Sequence, residues 1–131
     1  MAAVNDQKIG RRQPGTGFGF PVLAGQLFYG RTLVAITAAG MAVKPDHADA
    51  AVVVGLSEER VDNSTGADGD ITVEVEGGVW NIPVAAATVA DIGATVYAVD
   101  DNTLQLTNAG GELPAGILKM IDADGHWVDL G

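Results

Sequence analysis

Apolar and polar residues alternate along much of this chain with a period of two, the spacing of strands that turn one face to a core and the other to water. Ile71-Thr72-Val73-Glu74-Val75-Glu76 is the clearest case: three β-branched apolar residues share one face and Thr, Glu and Glu the other. Gly77-Gly78 follows, and supports either a two-residue hairpin turn into Val79-Trp80-Asn81-Ile82 or a glycine kink within one long strand. Thr95 to Val99, the turn Asp100-Asp101-Asn102, and Thr103 to Thr107 predict a hairpin with Leu104 and Leu106 facing inward. Further strands are predicted at Thr32 to Thr37, Met41 to Lys44, Ala51 to Leu56, Gly116 to Ile121 and His126 to Leu130. Glycine and proline leave room for only a turn or two of helix, near Ala86 to Asp91. The pattern predicts an all-β fold, a small barrel or sandwich of about eight or nine short strands.

One echo runs through the pattern. Val54-Gly55-Leu56 returns as Ala115-Gly116-Ile117, and Met41-Ala42-Val43 precedes the first as Asn102-Thr103-Leu104 precedes the second. Each Gly-apolar strand then passes through an acidic, Gly-containing turn, Ala67 to Asp70 or Asp122 to Gly125, into another strand. Two related β units would pack into one domain.

With 131 residues the chain is the size of one domain, and 47% hydrophobic composition supplies one core. It has no Cys, which excludes disulfides, thiol nucleophiles and thiolate metal sites. No apolar stretch approaches the roughly 20 residues that cross a bilayer, and the first residues lack the basic-then-apolar layout of a secretory signal. The sequence therefore predicts no membrane association and synthesis in the cytoplasm.

The formal charge of −10 hides an asymmetry. Up to Lys44 the chain holds Lys8, Arg11, Arg12, Arg31 and Lys44 against Asp6 alone, whereas beyond it only Arg60 and Lys119 face all the remaining acids. Such an acidic body repels nucleic acid, whose binding depends on neutralising phosphates. The basic leader runs into Gln13-Pro14-Gly15-Thr16-Gly17-Phe18-Gly19-Phe20-Pro21, which cannot be helical yet carries aromatic surface to bury. Residues 1–21 read as an extended arm and 22–131 as a single β-rich domain, with Lys8, Arg11, Arg12, Phe18 and Phe20 as the candidate binding residues of the arm.

Catalytic chemistry finds little to use here. His47 and His126 are the two histidines, and neither lies in a spacing that suggests a triad or a metal set. Asp122-Ala123-Asp124-Gly125 and the stretch from Asp62 to Asp70 are calcium-like in composition but lack the order of a calcium loop, so they read as turns. Gly15, Gly17 and Gly19 have no strand before them and no helix after them to cradle a phosphate. Leu118-Lys119-Met120 resembles the lysine motif of biotin carriers, yet Lys119 falls inside a predicted strand rather than at a hairpin tip. Asn63-Ser64-Thr65 is a glycosylation triplet without a secretory context. No catalytic residue, metal or cofactor is expected.

Taken as an ordered set, Val53-Val54-Gly55-Leu56, Asp70 to Trp80, Ala90-Asp91-Ile92-Gly93-Ala94-Thr95-Val96-Tyr97, Pro114-Ala115-Gly116-Ile117-Leu118 and Val128-Asp129-Leu130 resemble the small capsid cement, or decoration, proteins of tailed bacteriophages. The likeness covers residues from about 40 to 131; the long leader and the extended turn at 62–69 depart from it. It implies a non-enzymatic protein of the virion's outer capsid surface, often a homotrimer, that bridges neighbouring major capsid proteins and stabilises the head. Other virion roles, in the tail, in head completion or as a glycan-binding surface module, are the alternatives. In the decoration reading the basic arm meets acidic coat-protein surface and Phe18 and Phe20 anchor it.

Overall fold

The computed structural model describes residues 17–131, and the alternating segments fold into an all-β structure of three sheets that do not close into a barrel. It is a small sandwich. The first sheet contains β1 (Gly17–Pro21), β3 (Leu33–Thr37), β4 (Ala42–Val43), β5 (Ala50–Ser57) and β7 (Thr72–Glu76), in the order β1-β7-β5-β3-β4. The second contains β8 (Val79–Asn81), β9 (Val84–Ala85), β10 (Thr95–Ala98), β11 (Leu104–Gln105), β12 (Leu113–Asp122) and β13 (Gly125–Asp129), in the order β8-β13-β12-β10-β11-β9. A two-stranded ribbon pairs β2 (Leu27–Phe28) with β6 (Val61–Asp62).

Alternation decides how these layers stack. In β3, Leu33 faces one core together with Leu56 and the second-sheet residues Val96, Leu104, Leu118 and Val128. Its neighbour Val34 faces the opposite core with Phe28, Val73 and Val75, beneath a ribbon that contributes Phe28 and Val61. The first sheet is therefore buried on both faces at β3 and β5. Ribbon, first sheet and second sheet form successive layers.

The two large sheets share one strand order over four strands: β7-β5-β3-β4 in the first matches β13-β12-β10-β11 in the second. Val34 pairs with Gly55 and Val96 with Gly116, each pairing followed by a register shift. Outside these strands, Val22 bridges Ala42 in parallel, as Val84 pairs in parallel with Leu104, and each valine follows a proline, Pro21 or Pro83. At Gly55, whose φ is +146°, an added Cβ would strike the carbonyl of Glu76; at Gly116 it would strike that of Asp129. Glycine is needed at both places so that β7 and β13 can close on their neighbours.

The predicted hairpin is present, with Tyr97 opposite Gln105 and Ala98 opposite Leu104. Of the two readings of Gly77-Gly78, the tight hairpin is excluded, because β7 and β8 belong to different sheets. The chain changes layers there, with Gly78 at a φ of +99° and its N–H donating to the Gly131 carbonyl at 2.9 Å. The predicted helical stretch shrinks to one 3-10 turn at Val89–Asp91. Asn63 is buried, and its Nδ2 donates to the carbonyls of Val22 (3.1 Å) and Ala67 (2.9 Å), pinning the acidic turn to the sheet. That amide is a structural latch.

Replacing Gly55 or Gly116 by Ala will destabilise the protein by about 1–3 kcal/mol, because a backbone carbonyl cannot move aside as a side chain can. Urea unfolding of the two variants measures this; a midpoint equal to that of the parent would remove the close approach as a constraint.

Candidate docking edge

Five residues of the predicted arm fall within the described structure, and they are a strand of the domain rather than a free tether. Gly17–Pro21 lies antiparallel to Thr72–Glu76, with Phe18 opposite Val75 and Phe20 opposite Val73. Opposed residues share a face, so both rings lie on the side of the buried valines. Phe20 packs on that core beside Val54 and Val61. Phe18 is 54% exposed. Lys8, Arg11 and Arg12 lie outside the described residues.

The other face of β1 carries only Gly17 and Gly19 before Pro21, set against Glu76 and Glu74. A Cβ at Gly19 would come within 2.9 Å of Glu74 Oε1, and one at Gly17 within 3.4 Å of Glu58 Oε1. Bare glycine backbone gives these long acids room to lie across the strand. Glu58, Glu74 and Glu76 form a carboxylate row, and some loss of hydration around the exposed Glu58, together with a hydrogen bond to Glu76 and the charges of Glu76 and Glu74, raises its pKa. Arg31 opposes this, with Nη1 3.2 Å from Glu76 Oε2 and its guanidinium 4.8 Å from the Trp80 ring centroid. Arg31 thereby links the end of β7 to β8 in the other sheet. It does so from a φ of 61°, an unusual conformation for a residue with a side chain.

β1 ends the first sheet, so one of its edges bears no strand among the described residues. Sheet edges usually carry charge, a bulge or a cover that discourages pairing; this one carries Gly, Phe, Gly and Phe, with Pro21 only at its end. At this end of the sheet the strand presents glycine-rich backbone and an exposed Phe18 side chain.

The remaining candidate groups are engaged in local structure. His47 Nδ1 accepts from the Asp49 N–H at 3.0 Å, and His126 Nδ1 from that of Val84 at 3.2 Å. His47 also borders an open groove of about 380 Å³ with Asp46, Gly110 and Glu112. Among the described residues no three His, Cys, Asp or Glu are grouped to hold a metal ion. In the calcium-like turns, Asp62 Oδ1 accepts from Ser64 Oγ and N–H (2.6 and 2.9 Å), and Asp122 Oδ1 from Trp127 Nε1 and the Asp124 N–H (3.0 and 2.9 Å). These bonds hold both carboxyls below their ordinary pKa. Lys119 is exposed on a bulge inside β12, several residues from the hairpin tip. No helix among the described residues is long and apolar enough to cross a membrane.

The chain matches no family model, no curated protein and no solved structure.

A carboxyl whose pKa rises on folding takes up its proton more readily in the native state, so it costs stability once pH exceeds its folded value and costs nothing below its unfolded one. Glu58→Gln will therefore raise the melting temperature at neutral pH, and the gain will fade as the solution is acidified through the carboxylate range. Calorimetry across pH checks this; an unchanged or lowered melting temperature at neutral pH would mean that the acidic row imposes no strain.

Proposed function

We propose that this chain is a non-enzymatic decoration protein of a tailed-bacteriophage head, held on the outer capsid surface where it bridges neighbouring major capsid proteins. The observation that carries the reading is β1: a glycine-rich strand that ends the first sheet among the described residues, with Phe18 half-exposed, continuous in sequence with the basic leader. The ordered likeness of residues from about 40 to 131 to the decoration proteins supports it independently.

The mechanism is adhesion. A coat-protein segment lying along β1 gains main-chain hydrogen bonds and covers Phe18, the strand-addition mode of recognition. Lys8, Arg11 and Arg12 steer the leader to acidic coat surface, affecting encounter and orientation more than final affinity. Phe20 supports the edge from within, since its ring is committed to its own core. Several copies around a symmetry axis, as in a homotrimer, would join weak contacts into a durable clamp through effective concentration.

Because β1 belongs to the folded domain, the informative truncation stops at residue 16. Deleting residues 2–16, or replacing Phe18 by Ser, will lower retention on expanded heads in a pelleting assay by about tenfold or more, which corresponds to at least ~1.4 kcal/mol. Undiminished pelleting of both variants would remove arm and edge from the mechanism.

A further inference from the structure

β8 and β9 lie at opposite ends of the second sheet, yet only Ile82 and Pro83 separate them along the chain. The sheet therefore curls until its ends meet at a seam. Ile82 ties the seam to β13 by donating its N–H to the His126 carbonyl at 3.0 Å, and the Pro83 carbonyl ties it to β11 by accepting from Leu104 at 2.9 Å. Proline supplies no N–H, so the next donor along this strip is Val84. Its N–H meets a side chain, His126 Nδ1, at 3.2 Å. Ile82 and Val84 are both core residues, and His126 is half-buried beside them.

The first sheet makes the corresponding bond differently. There the Pro-Val pair is Pro21-Val22, and the Val22 N–H donates to the carbonyl of Ile71 at 2.9 Å. Extended by the same register, Ile71 falls opposite Val22 and Asp124 opposite Val84. The Asp124 carbonyl instead accepts from Asn81 Nδ2 at 2.8 Å, while Asn81 Oδ1 accepts the His126 N–H at 3.1 Å. An imidazole nitrogen has taken over the role that a carbonyl plays in the other sheet.

The two acceptors respond differently to protons. A carbonyl keeps its lone pairs at any ordinary pH, whereas Nδ1 accepts only in the neutral tautomer whose proton is on Nε2. Histidine side chains change charge between about pH 5 and 8, and a protonated ring would turn N–H toward N–H. A buried backbone donor stripped of its acceptor then weakens the seam. Around His126, residues 79–87, residues 103–109 and the strands β3 and β5 across the core carry no titratable side chain. Its own hairpin contributes Lys119, Asp122, Asp124 and Asp129, and Asp122 is bonded to Trp127 and to the Asp124 N–H. His47 also accepts a backbone N–H, that of Asp49, but within a local turn far from the seam in sequence.

We propose that His126 is a proton-sensitive latch on the second sheet. Neutral, it holds Val84 and closes the seam; protonated, it lets Val84 go, while the first sheet, closed by the Ile71 carbonyl, is unaffected. The latch is separate from the β1 edge and stands whether or not the chain binds a capsid.

Amide hydrogen exchange of the purified full-length chain, corrected for the intrinsic pH dependence of exchange, tests this by comparing Val84 with Val22. Between about pH 8 and 5, protection at Val84 will fall about five- to tenfold relative to Val22 in the parent. His126→Asn, which offers an amide oxygen that does not titrate, will keep the ratio constant. His126→Leu will lower protection at Val84 at every pH, and His47→Asn will behave as the parent does. A ratio in the parent that does not change with pH would overturn the proposal, and so would an equal fall in His126→Asn.

Discussion

The centre of the first sheet, at β3 and β5, must bury both of its faces, and the rest of the architecture follows from that requirement. Leu33 and Leu56 are apolar on one side, and Val34, Val73 and Val75 on the other, so a single partner layer leaves one set in water. Full burial of a large aliphatic side chain is worth about 1.5–3 kcal/mol, which makes either face too costly to leave open. The second sheet covers one side. The ribbon of β2 and β6, with Phe28 and Val61, covers the other. A fold layered in this way has two ends, and among the described residues the end without a lid is the outer face of the second sheet.

How the sequence conveys this is instructive. Segments with clean alternation, such as Thr72 to Glu76 and the hairpin from Thr95 to Gln105, were legible because one face of each is polar. The echo around Gly55 and Gly116 was legible too, since a glycine whose absent side chain makes way for a neighbouring carbonyl leaves a mark in any sequence. What alternation could not convey was partner choice. Val53-Val54 reads as continuously apolar, and only the fold shows Val53 turned to one core and Val54 to the other. The pairs Leu27–Phe28 and Val61–Asp62 are too short to carry a period at all. Gly77-Gly78 fitted two local geometries, and the contact that distinguishes them, with Gly131, lies far along the chain.

The docking edge was half legible for a similar reason. Aromatic clustering and the charge split singled out the arm, but composition does not reveal that Val73 and Val75 would capture Phe20 and hold Gly17–Pro21 as a strand. Under the proposed strand addition, an edge already held as a strand at Gly17–Pro21 loses less conformational freedom when a partner is added. The carboxylate row and Arg31 were invisible in sequence, because Glu58, Glu74, Glu76 and Trp80 reach one another only through strand pairing and the layer change. In the proposed reading, acid on the body and base on the leader divide the labour, the leader meeting acidic coat surface and the body remaining soluble through its charge.

An electron-microscopy map of mature heads carrying this chain tests the central claim most directly. The account predicts ordered density for the sandwich on the outside of the shell at many equivalent positions, with Gly17–Pro21 running beside a coat-protein segment and Phe18 covered. Density confined to the tail or portal, or a β1 edge facing open solvent in every bound copy, would contradict it.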